Sequence, residues 1–223
     1  MLTMLIFFKR RSGMTVEAFQ QHWRTTHADI ICRLPGLRRY VQNHVLASSY
    51  RKGEPAFDGV AESSFDDSES MKALARSPEY ERVLADEPNF IERSTMGSII
   101  TEPQVIKEGA VGPEAVKSVA FVTRKPEVPI DEFFRYWRED HGRLCQAVPA
   151  FRRYIQYPTR RSIYASGRTP AYDGAAMSWF DSLDALREAA GSPEFERLRA
   201  DLEHFTVSGR SPSILVREHV ALA

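Results

Sequence analysis

Two histidines stand in matching surroundings at two places in the chain. His27 lies four residues after Trp23, and His141 lies four residues after Trp137. An imidazole titrates near neutral pH, so each is a candidate general acid or base. The alternative is structural, because a histidine near the carboxyl end of a helix interacts favourably with the helix dipole or is hydrogen-bonded in the core.

Glu62 is a candidate partner for His27. It lies inside a predicted strand, and the matching position in the second half of the chain is Met177. Glu62 faces either solvent or a ligand cavity. If it faces the cavity, it forms an acid–base pair with His27 and orients or tunes the imidazole. The first half would then hold the more complete site, with His141 as the equivalent histidine of the second half.

Polar and aromatic side chains near these candidates predict a ligand-binding surface. Arg38, Tyr40 and Gln42 lie at every second position of the same predicted strand, so they share one face. They could hold or polarise an oxygen atom of a substrate. Trp23 and Tyr154 could stack on a planar ligand. For the aromatic side chains, packing in the core is the alternative.

The motifs of common cofactors and metals do not occur in the sequence. Cys32 and Cys145 have no further cysteine or histidine at zinc-ligand spacing, and we interpret both as structural. The sequence has no G-x-G-x-x-G, no phosphate-binding P-loop and no G-x-S-x-G. We therefore expect no metal and no cofactor.

The two halves of the chain carry the same motifs in the same order. The offset between them is 114 residues at first and 115 after a loop insertion, which predicts a tandem duplication. We place the first repeat at residues 1–108 and the second at 115–223. The matched motifs begin at Phe19 and Phe133, at Pro35 and Pro149, at Pro55 and Pro170, and at Ser77 and Ser192.

Each half shows the hydrophobic pattern of β-α-β-β-α-β. Thr15 is a candidate N-cap for the first helix, and Pro129 occupies its place in the second half, in a first helical turn. In the first half we predict strands at 2–9, 37–46, 60–65 and 94–106, a helix at 15–31, and a helical region at 66–90 that is interrupted at Pro78.

This order of elements is typical of the ferredoxin-like fold, so the predicted class is α+β. Helices cover one face of each antiparallel sheet, and the other face needs a partner. We predict that the two repeats pack face to face as an intramolecular α/β barrel that encloses a cavity for a small molecule.

Composition excludes several classes of partner. The 223 residues include 30 Lys plus Arg and 30 Asp plus Glu, so the net charge is zero and does not favour nucleic acid or an anionic membrane. No apolar run is long enough to span a membrane, and the two cysteines suit a reducing, cytoplasmic setting. The expected partner is a small-molecule ligand, with a homodimer of the two-repeat unit as a further option.

The first half resembles the EthD family of the dimeric α/β-barrel superfamily. The resemblance rests on Phe19-x3-Trp23-x3-His27, on Leu34-Pro35-Gly36-Leu37-x2-Tyr40, and on Asp58-Gly59-Val60-Ala61-Glu62-x2-Phe65. EthD-like proteins accompany the degradation of ethers and aromatic compounds and polyketide processing. The wider superfamily contains cofactor-free monooxygenases, cyclases, isomerases and haem-binding members. The resemblance implies a small, largely apolar ligand in a barrel and does not name a reaction.

Together these features predict a cofactor-independent enzyme that uses acid–base chemistry on a small aromatic or polyketide-like molecule. The reaction would be a lyase, isomerase or oxygenation step, with His27 as the acid or base. The alternatives are a non-catalytic binding protein for a hydrophobic intermediate and a haem-binding barrel.

Overall fold

The structure, a computed structural model, describes residues 1–207 and 209–223. The chain divides into two units, one formed by Met1–Glu102 with Arg217–Ala223, and the other by Pro103–Val216. The predicted repeats, 1–108 and 115–223, differ from these units at their ends. The last seven residues belong to the first unit, although the sequence repeat places them in the second.

The first unit has the predicted order of strands and helices. Its strands are β1 (Leu2–Arg10), β2 (Leu37–Val45), β3 (Gly59–Phe65) and β4 (Ile91–Thr101). Its helices are α1 (Val16–His22), α2 (Ala28–Ile31), α3 (Ser68–Leu74) and α4 (Pro78–Phe90), with a π-helical segment at Trp23–His27 and a 3₁₀ helix at Ala47–Lys52.

After one additional strand at its start, the second unit repeats this order. Its strands are β5 (Gln104–Lys107), β6 (Val116–Val122), β7 (Arg153–Pro158) and β8 (Gly174–Phe180). Its helices are α5 (Ile130–Tyr136), α6 (Gly142–Ala147), α7 (Arg161–Ala165), α8 (Leu183–Ala190) and α9 (Pro193–Phe205), with a π-helical segment at Trp137–His141. The final strand, β9 (Ser213–Leu222), contributes residues to both units.

The sheet of each unit is largely antiparallel, as the α+β prediction requires. In the first unit the strand order is β4-β1-β3-β2, followed by the last part of β9, and in the second it is the first part of β9 followed by β6-β8-β7-β5. β1 pairs with β3 so that Met4 lies opposite Ser63 and Leu5 lies opposite Glu62. This register determines which side chains share a face of the sheet.

Local sequence signals explain where the helices begin. The Thr15 hydroxyl accepts a hydrogen bond from the Ala18 amide, so Thr15 is the predicted N-cap. Ser77 caps α4 in the same way, and Pro78 occupies its first turn, where the missing N–H is not needed. Pro129 was predicted to lie in the first turn of its helix, but it precedes the first helical residue. Its ψ of 144° is extended.

The predicted fourth strand, 94–106, is in fact two strands. β4 ends at Thr101, and β5 begins at Gln104 in the second unit. Pro103 lies between them, and a proline lacks the N–H that a continuous ladder would use. The interruption therefore separates the two units at this point of the chain.

The core of the first unit lies between its sheet and its helices. Phe8, Phe19, Trp23, Phe65 and Phe90 are almost fully buried there and belong to one hydrophobic cluster. Phe8 meets the Trp23 ring edge to face at 5.1 Å between centroids. Aromatic side chains thus hold the first helix against the sheet, and the candidate site lies beside them.

Candidate functional site

A cavity of about 220 Å³ lies within the first unit, between the sheet and the helices. Its walls are mainly apolar, with a few polar side chains among them, which is the usual composition of a small-molecule site. The apolar lining includes Met4, Ile6, Phe8, Ile31, Leu34 and Phe65, and the polar lining includes His27, Tyr40, Ser63, Tyr80, Glu87 and Ser98.

His27 is held in this wall by Asp86. Its Nδ1 lies 2.9 Å from Asp86 Oδ2, and the imidazole is 5% exposed. A carboxylate acceptor at Nδ1 places the ring proton there. Nε2 is then the basic nitrogen, and within the described residues it makes no hydrogen bond. This is the arrangement of an oriented general base.

Asp86 has several other partners on the helices. His22 Nε2 lies 2.9 and 3.1 Å from its two oxygens, and Asn89 Nδ2 donates to Oδ1 at 3.2 Å. Phe90 packs against both imidazoles, with ring centroids 4.9 Å from His22 and 4.6 Å from His27. Asp86 therefore anchors His27 from the side opposite the cavity.

Burial and hydrogen bonding set the charges of this pair. Desolvation lowers the pKa of His27 below its usual 6.5, although the Asp86 carboxylate opposes that shift. Burial acts against ionisation of Asp86, but the hydrogen bonds from His27, Asn89 and His22 outweigh it and lower its pKa. At neutral pH the site thus holds a neutral imidazole beside a carboxylate.

Glu87 is a second ionisable group in the cavity wall. Its side chain is 6% exposed, its Oε2 lies 3.3 Å from Arg93 Nε, and this oxygen has no hydrogen-bond partner of good geometry among the described residues. Burial raises the pKa of Glu87, against the lowering effect of Arg93 and with a further rise from Asp86. The cavity therefore contains an imidazole that resists protonation and a carboxyl that resists ionisation.

The sequence had suggested Glu62 as the partner of His27, but the structure does not bring the two side chains together. Glu62 pairs in register with Leu5 and Val41, whereas the cavity-lining Met4, Tyr40 and Ser63 form the neighbouring row. Adjacent residues of a strand face opposite sides of the sheet. Glu62 therefore points away from this cavity, where Asn43 Nδ2 donates to its Oε1 at 3.0 Å.

Of the predicted ligand-binding residues in the first unit, Tyr40 lines the cavity. Arg38 lies at the surface and pairs with Asp66 at 2.6 Å. Gln42 Nε2 donates to the Trp23 carbonyl at 2.6 Å, and Trp23 Nε1 donates to the Tyr40 hydroxyl at 2.9 Å. Gln42 thus supports the helix and Trp23 supports Tyr40. Arg38 is paired with Asp66 near the start of its strand and does not line the cavity.

The second unit contains a similar dyad in different surroundings. His141 Nδ1 lies 2.7 Å from Asp201 Oδ2, and Tyr136 takes the place of His22 by donating to Oδ1 at 2.6 Å. Tyr154, a predicted ligand-binding residue, stacks on Phe151 at 5.6 Å between centroids.

Aromatic rings contact one another in the part of the second unit that corresponds to the cavity. Phe151 also contacts Phe180 at 5.3 Å and Phe195 at 5.6 Å. At the positions of Tyr80 and Glu87, the second repeat carries Phe195 and Leu202. Two of the polar groups that could meet a ligand in the first unit, those of Tyr80 and Glu87, are thus replaced by apolar ones.

Asp86 and Glu87 were missed by reasoning from the sequence. A usable signal existed for Asp86, because Ala85-Asp86 and Phe90 return as Ala200-Asp201 and Phe205 at the offset of 115. Glu87 differs between the repeats in the same way as Glu62 does. No sequence feature placed either residue near His27, since that proximity depends on how α4 packs.

Over residues 1–207 and 209–223, no group of three or more histidine, cysteine or carboxylate side chains could hold a metal ion. The expectation that the protein works without a cofactor stays a prediction.

The EthD domain model matches residues 11–94 and 125–209, which together make up most of the chain. The protein belongs to the EthD domain family. The two matches lie in tandem, in agreement with the duplication. A search among curated proteins found no match.

Several solved structures resemble this EthD protein. An anthrone oxidase-like protein superposes with a TM-score of 0.66 at 13% identity, covering 99% of this chain and 93% of that one. A candidate monooxygenase from Lactobacillus acidophilus NCFM gives 0.60 at 10% identity, with 99% and 95% covered. An EthD family protein from Bacillus halodurans C-125 is 27% identical over 46% of this chain and 98% of its own, with a TM-score of 0.38.

At identities of 10% and 13%, the first two likenesses concern the fold. The family membership rests on the two domain matches. Among the described residues, no helix is long and apolar enough to cross a membrane.

Proposed function

We propose that the first repeat is a cofactor-independent enzyme that removes a proton from a small, largely apolar molecule. The observation that supports this most directly is His27, which lines the cavity while Asp86 holds its Nδ1 at 2.9 Å. A buried neutral imidazole with an oriented second nitrogen is suited to general-base catalysis.

In the proposed reaction, His27 Nε2 accepts a proton from a carbon next to a carbonyl group. The C–H bond breaks, its electron pair moves toward the carbonyl oxygen, and an N–H bond forms on the imidazole. Asp86 stabilises the imidazolium through the hydrogen bond at Nδ1. Return of the proton to another atom would complete an isomerisation, and attack of the carbanion on dioxygen would begin an oxygenation.

Glu87 has the proposed task of meeting the oxygen where negative charge develops. Burial raises the pKa of Glu87, and in its protonated form the carboxyl group donates a hydrogen bond to such an oxygen. Tyr80 and Tyr40 also line the cavity and carry hydroxyl groups. In this proposal His27 is the base, Glu87 is the electrophilic partner, and Glu62 and Arg38 have no part in the chemistry of this cavity.

The size of the cavity restricts the substrate. A dry apolar cavity of about 150 Å³ accommodates benzene, so 220 Å³ suits a molecule of one or two rings. The aromatic or polyketide-like class expected from the sequence fits this volume. The predicted face-to-face barrel, the cytoplasmic location and the homodimer stay predictions.

The second repeat is proposed to be structural. His141 keeps its carboxylate partner, but Phe195 and Leu202 stand where the first unit has Tyr80 and Glu87. An imidazole there can hold α9 against the π-helical segment without meeting a substrate. His141 therefore provides a matched control for His27.

The test uses a two-ring carbon acid, 1-tetralone, in deuterated buffer. We expect the protein to accelerate deuterium incorporation next to the carbonyl, measured by NMR. His27→Asn keeps an N–H donor for Asp86 but lacks the basic nitrogen, so the acceleration should fall by about 10²–10⁴-fold. His141→Asn should retain it within about threefold, because the same change is made away from the cavity.

Oxygen uptake with the same two-ring ketone, 1-tetralone, tests the oxygenation branch. The C–H bond next to the carbonyl breaks, a C–O bond to dioxygen forms and the proton returns to the peroxide, so 2-hydroperoxy-1-tetralone forms and one oxygen molecule is consumed for each substrate. Binding of 1-tetralone without exchange, or exchange that His27→Asn leaves unchanged, would contradict the enzymatic proposal and favour a binding protein. A Soret band in the purified protein would instead favour the haem-binding alternative.

A further inference from the structure

A second pocket, of about 610 Å³, lies in the second unit and is separate from the His141 dyad. Three arginines line it, Arg124, Arg168 and Arg210, together with one carboxylate, Asp173. Arg168 and Arg210 are exposed, and neither makes an ion pair with any residue in 1–207 or 209–223. The pocket thus has an excess of positive charge.

The first unit shows how the same position is neutralised. Arg10, which corresponds to Arg124, donates to both oxygens of Glu54, from Nη1 at 3.0 Å and from Nη2 at 2.8 Å. Arg10 also pairs with the buried Asp58. Lys9 contacts the same two carboxylates, at 3.2 Å from Glu54 and 2.9 Å from Asp58. Each cation there has an anionic partner within the chain.

The second unit has no carboxylate at the position equivalent to Glu54 that could pair with Arg124. At the offset of 115, Glu54 corresponds to Thr169, and Gly53 corresponds to Arg168. The Nε of Arg124 is buried without a hydrogen-bond acceptor and lies 3.7 Å from Asp173 Oδ1. Its Nη1 is occupied by backbone carbonyls, at 2.6 Å from that of Val128.

Asp173 is itself largely engaged. Its Oδ2 accepts from the Arg124 amide at 2.8 Å, and its Oδ1 accepts from the Tyr164 hydroxyl at 2.7 Å. One partly engaged carboxylate therefore stands against three guanidinium groups. An uncompensated cluster of this kind is a place where an added anion gains charge-assisted hydrogen bonds.

We propose that this pocket binds a small oxyanion, a carboxylate or phosphate group. The oxyanion would occupy the place that the Glu54 carboxylate has in the first unit. The guanidinium fork matches such groups, because two parallel N–H donors meet two oxygens. The site does not depend on His27 or on the reaction proposed for the first unit.

Thr169→Glu is the sharpest test, because it restores to the second repeat the carboxylate that the first one carries. We expect the unmodified protein to bind inorganic phosphate saturably in calorimetry at constant ionic strength. Thr169→Glu should weaken this binding at least tenfold, since the new carboxylate competes for the same guanidinium groups. Thr169→Gln, of similar size but uncharged, should keep the affinity within about threefold.

Two further arms complete the design. The double variant Arg168→Gln with Arg210→Gln should also lose phosphate binding at least tenfold. Titration with acetate and with sulfate separates a preference for a planar carboxylate from one for a tetrahedral anion. Circular dichroism and thermal unfolding show that each variant is folded.

The absence of saturable binding of phosphate, sulfate and acetate below about 10 mM would overturn the proposal. Equal phosphate affinity in Thr169→Glu and the unmodified protein would overturn it as well. Because binding is the readout, these results are independent of the deuterium exchange that tests His27.

Discussion

Asp86 and Glu87 are neighbours in the chain, yet the helix gives their side chains different surroundings. Asp86 faces His22 and His27, whereas Glu87 lines the cavity and pairs with Arg93. Consecutive residues on an α-helix point about 100° apart. One turn of α4 can therefore hold His27 by a hydrogen bond on the side away from the cavity and also place the Glu87 carboxyl in the cavity wall.

The pKa shifts of His27 and Glu87 predict the pH dependence of deuterium exchange. The base must be neutral, so the rate should fall as pH decreases through the pKa of His27, which lies below 6.5. The acid must be protonated, so the rate should also fall as pH increases through the pKa of Glu87, which lies above 4.5. We expect a bell-shaped profile whose maximum lies between the pKa values of the two groups.

Glu87→Gln provides the control for this profile. The glutamine keeps an N–H donor toward the substrate oxygen but does not titrate, so the alkaline limb should disappear while the acid limb stays. The groups that face the two residues are His22 and Asp86 around His27, and Arg93 and Asp86 around Glu87. An alkaline limb that persists in Glu87→Gln would show that another group is responsible.

Sequence reasoning found His27 but not its partner. The pattern Trp23-x3-His27 placed the imidazole on the inward stripe of a helix, and the structure buries it there. Glu62 was chosen as the partner because it is an acid in a strand. The alternation of a strand leaves two faces open, and the register with Leu5 and Val41 decides between them.

At the scale of elements, the π-helical segments Trp23–His27 and Trp137–His141 occur at equivalent positions of the two repeats. Each presents its tryptophan carbonyl to a glutamine of the neighbouring strand, Gln42 at 2.6 Å and Gln156 at 2.7 Å. The wider turn carries the histidine at its end, and such turns are frequent at functional sites. Gln42 therefore supports the helix that holds His27.

The contact of this helix with the sheet requires a glycine. A Cβ at Gly59 would lie 2.6 Å from Trp23 Cζ3 and 2.8 Å from Cη2, closer than real contacts allow. Gly59→Ala should therefore push the helix away from β3. We expect a loss of about 1–3 kcal/mol in the free energy of unfolding, measured in urea.

Gly112→Ala is the matched control, because a Cβ there meets nothing within 4 Å and the backbone does not need a positive φ. Its free energy of unfolding should stay within about 0.5 kcal/mol of the unmodified protein. Equal stability of both variants would show that the Trp23 ring can move without cost.

Most helices and strands could be predicted from local sequence signals. The helical spacing of Phe19 and Trp23, the cap at Thr15 and the interruption at Pro78 are local signals. The break between β4 and β5 was missed, because Pro103 interrupts a run that otherwise has the composition of one strand. The π-helical turns have no sequence signature that distinguishes them from a continuous helix.

At the scale of the whole chain, the last residues belong to the first unit. Arg217–Ala223 cluster with Met1–Glu102, and Ala221 and Leu222 pack against the hydrophobic core that includes Phe8 and Tyr40. The Cys32 thiol also lies 3.6 Å from the Ala221 carbonyl. The end of the second sequence repeat thus completes the unit that contains the candidate site.

Removal of residues 217–223 should therefore destabilise the first unit. We expect faster hydrogen exchange of the β2 amides (Leu37–Val45), because the last part of β9 lies beside β2 in the sheet. The β7–β8 pair of the second unit, Arg153–Pro158 with Gly174–Phe180, is the internal control and should keep its protection. Loss of protection in β7 and β8 alone would contradict this assignment.

The sequence by itself determined the duplication, the α+β class, the family and the histidine on the inward face of the first helix. These follow from residue types and periods that are read locally or compared at a fixed offset. Tertiary structure alone decided that Asp86 holds His27, that Glu62 lies on the opposite face of the sheet, and that Glu54 pairs with Arg10. The reason is physical, because strand register and helix packing bring together residues that are far apart in the chain, such as His27 and Asp86, and their pairing has no local signal.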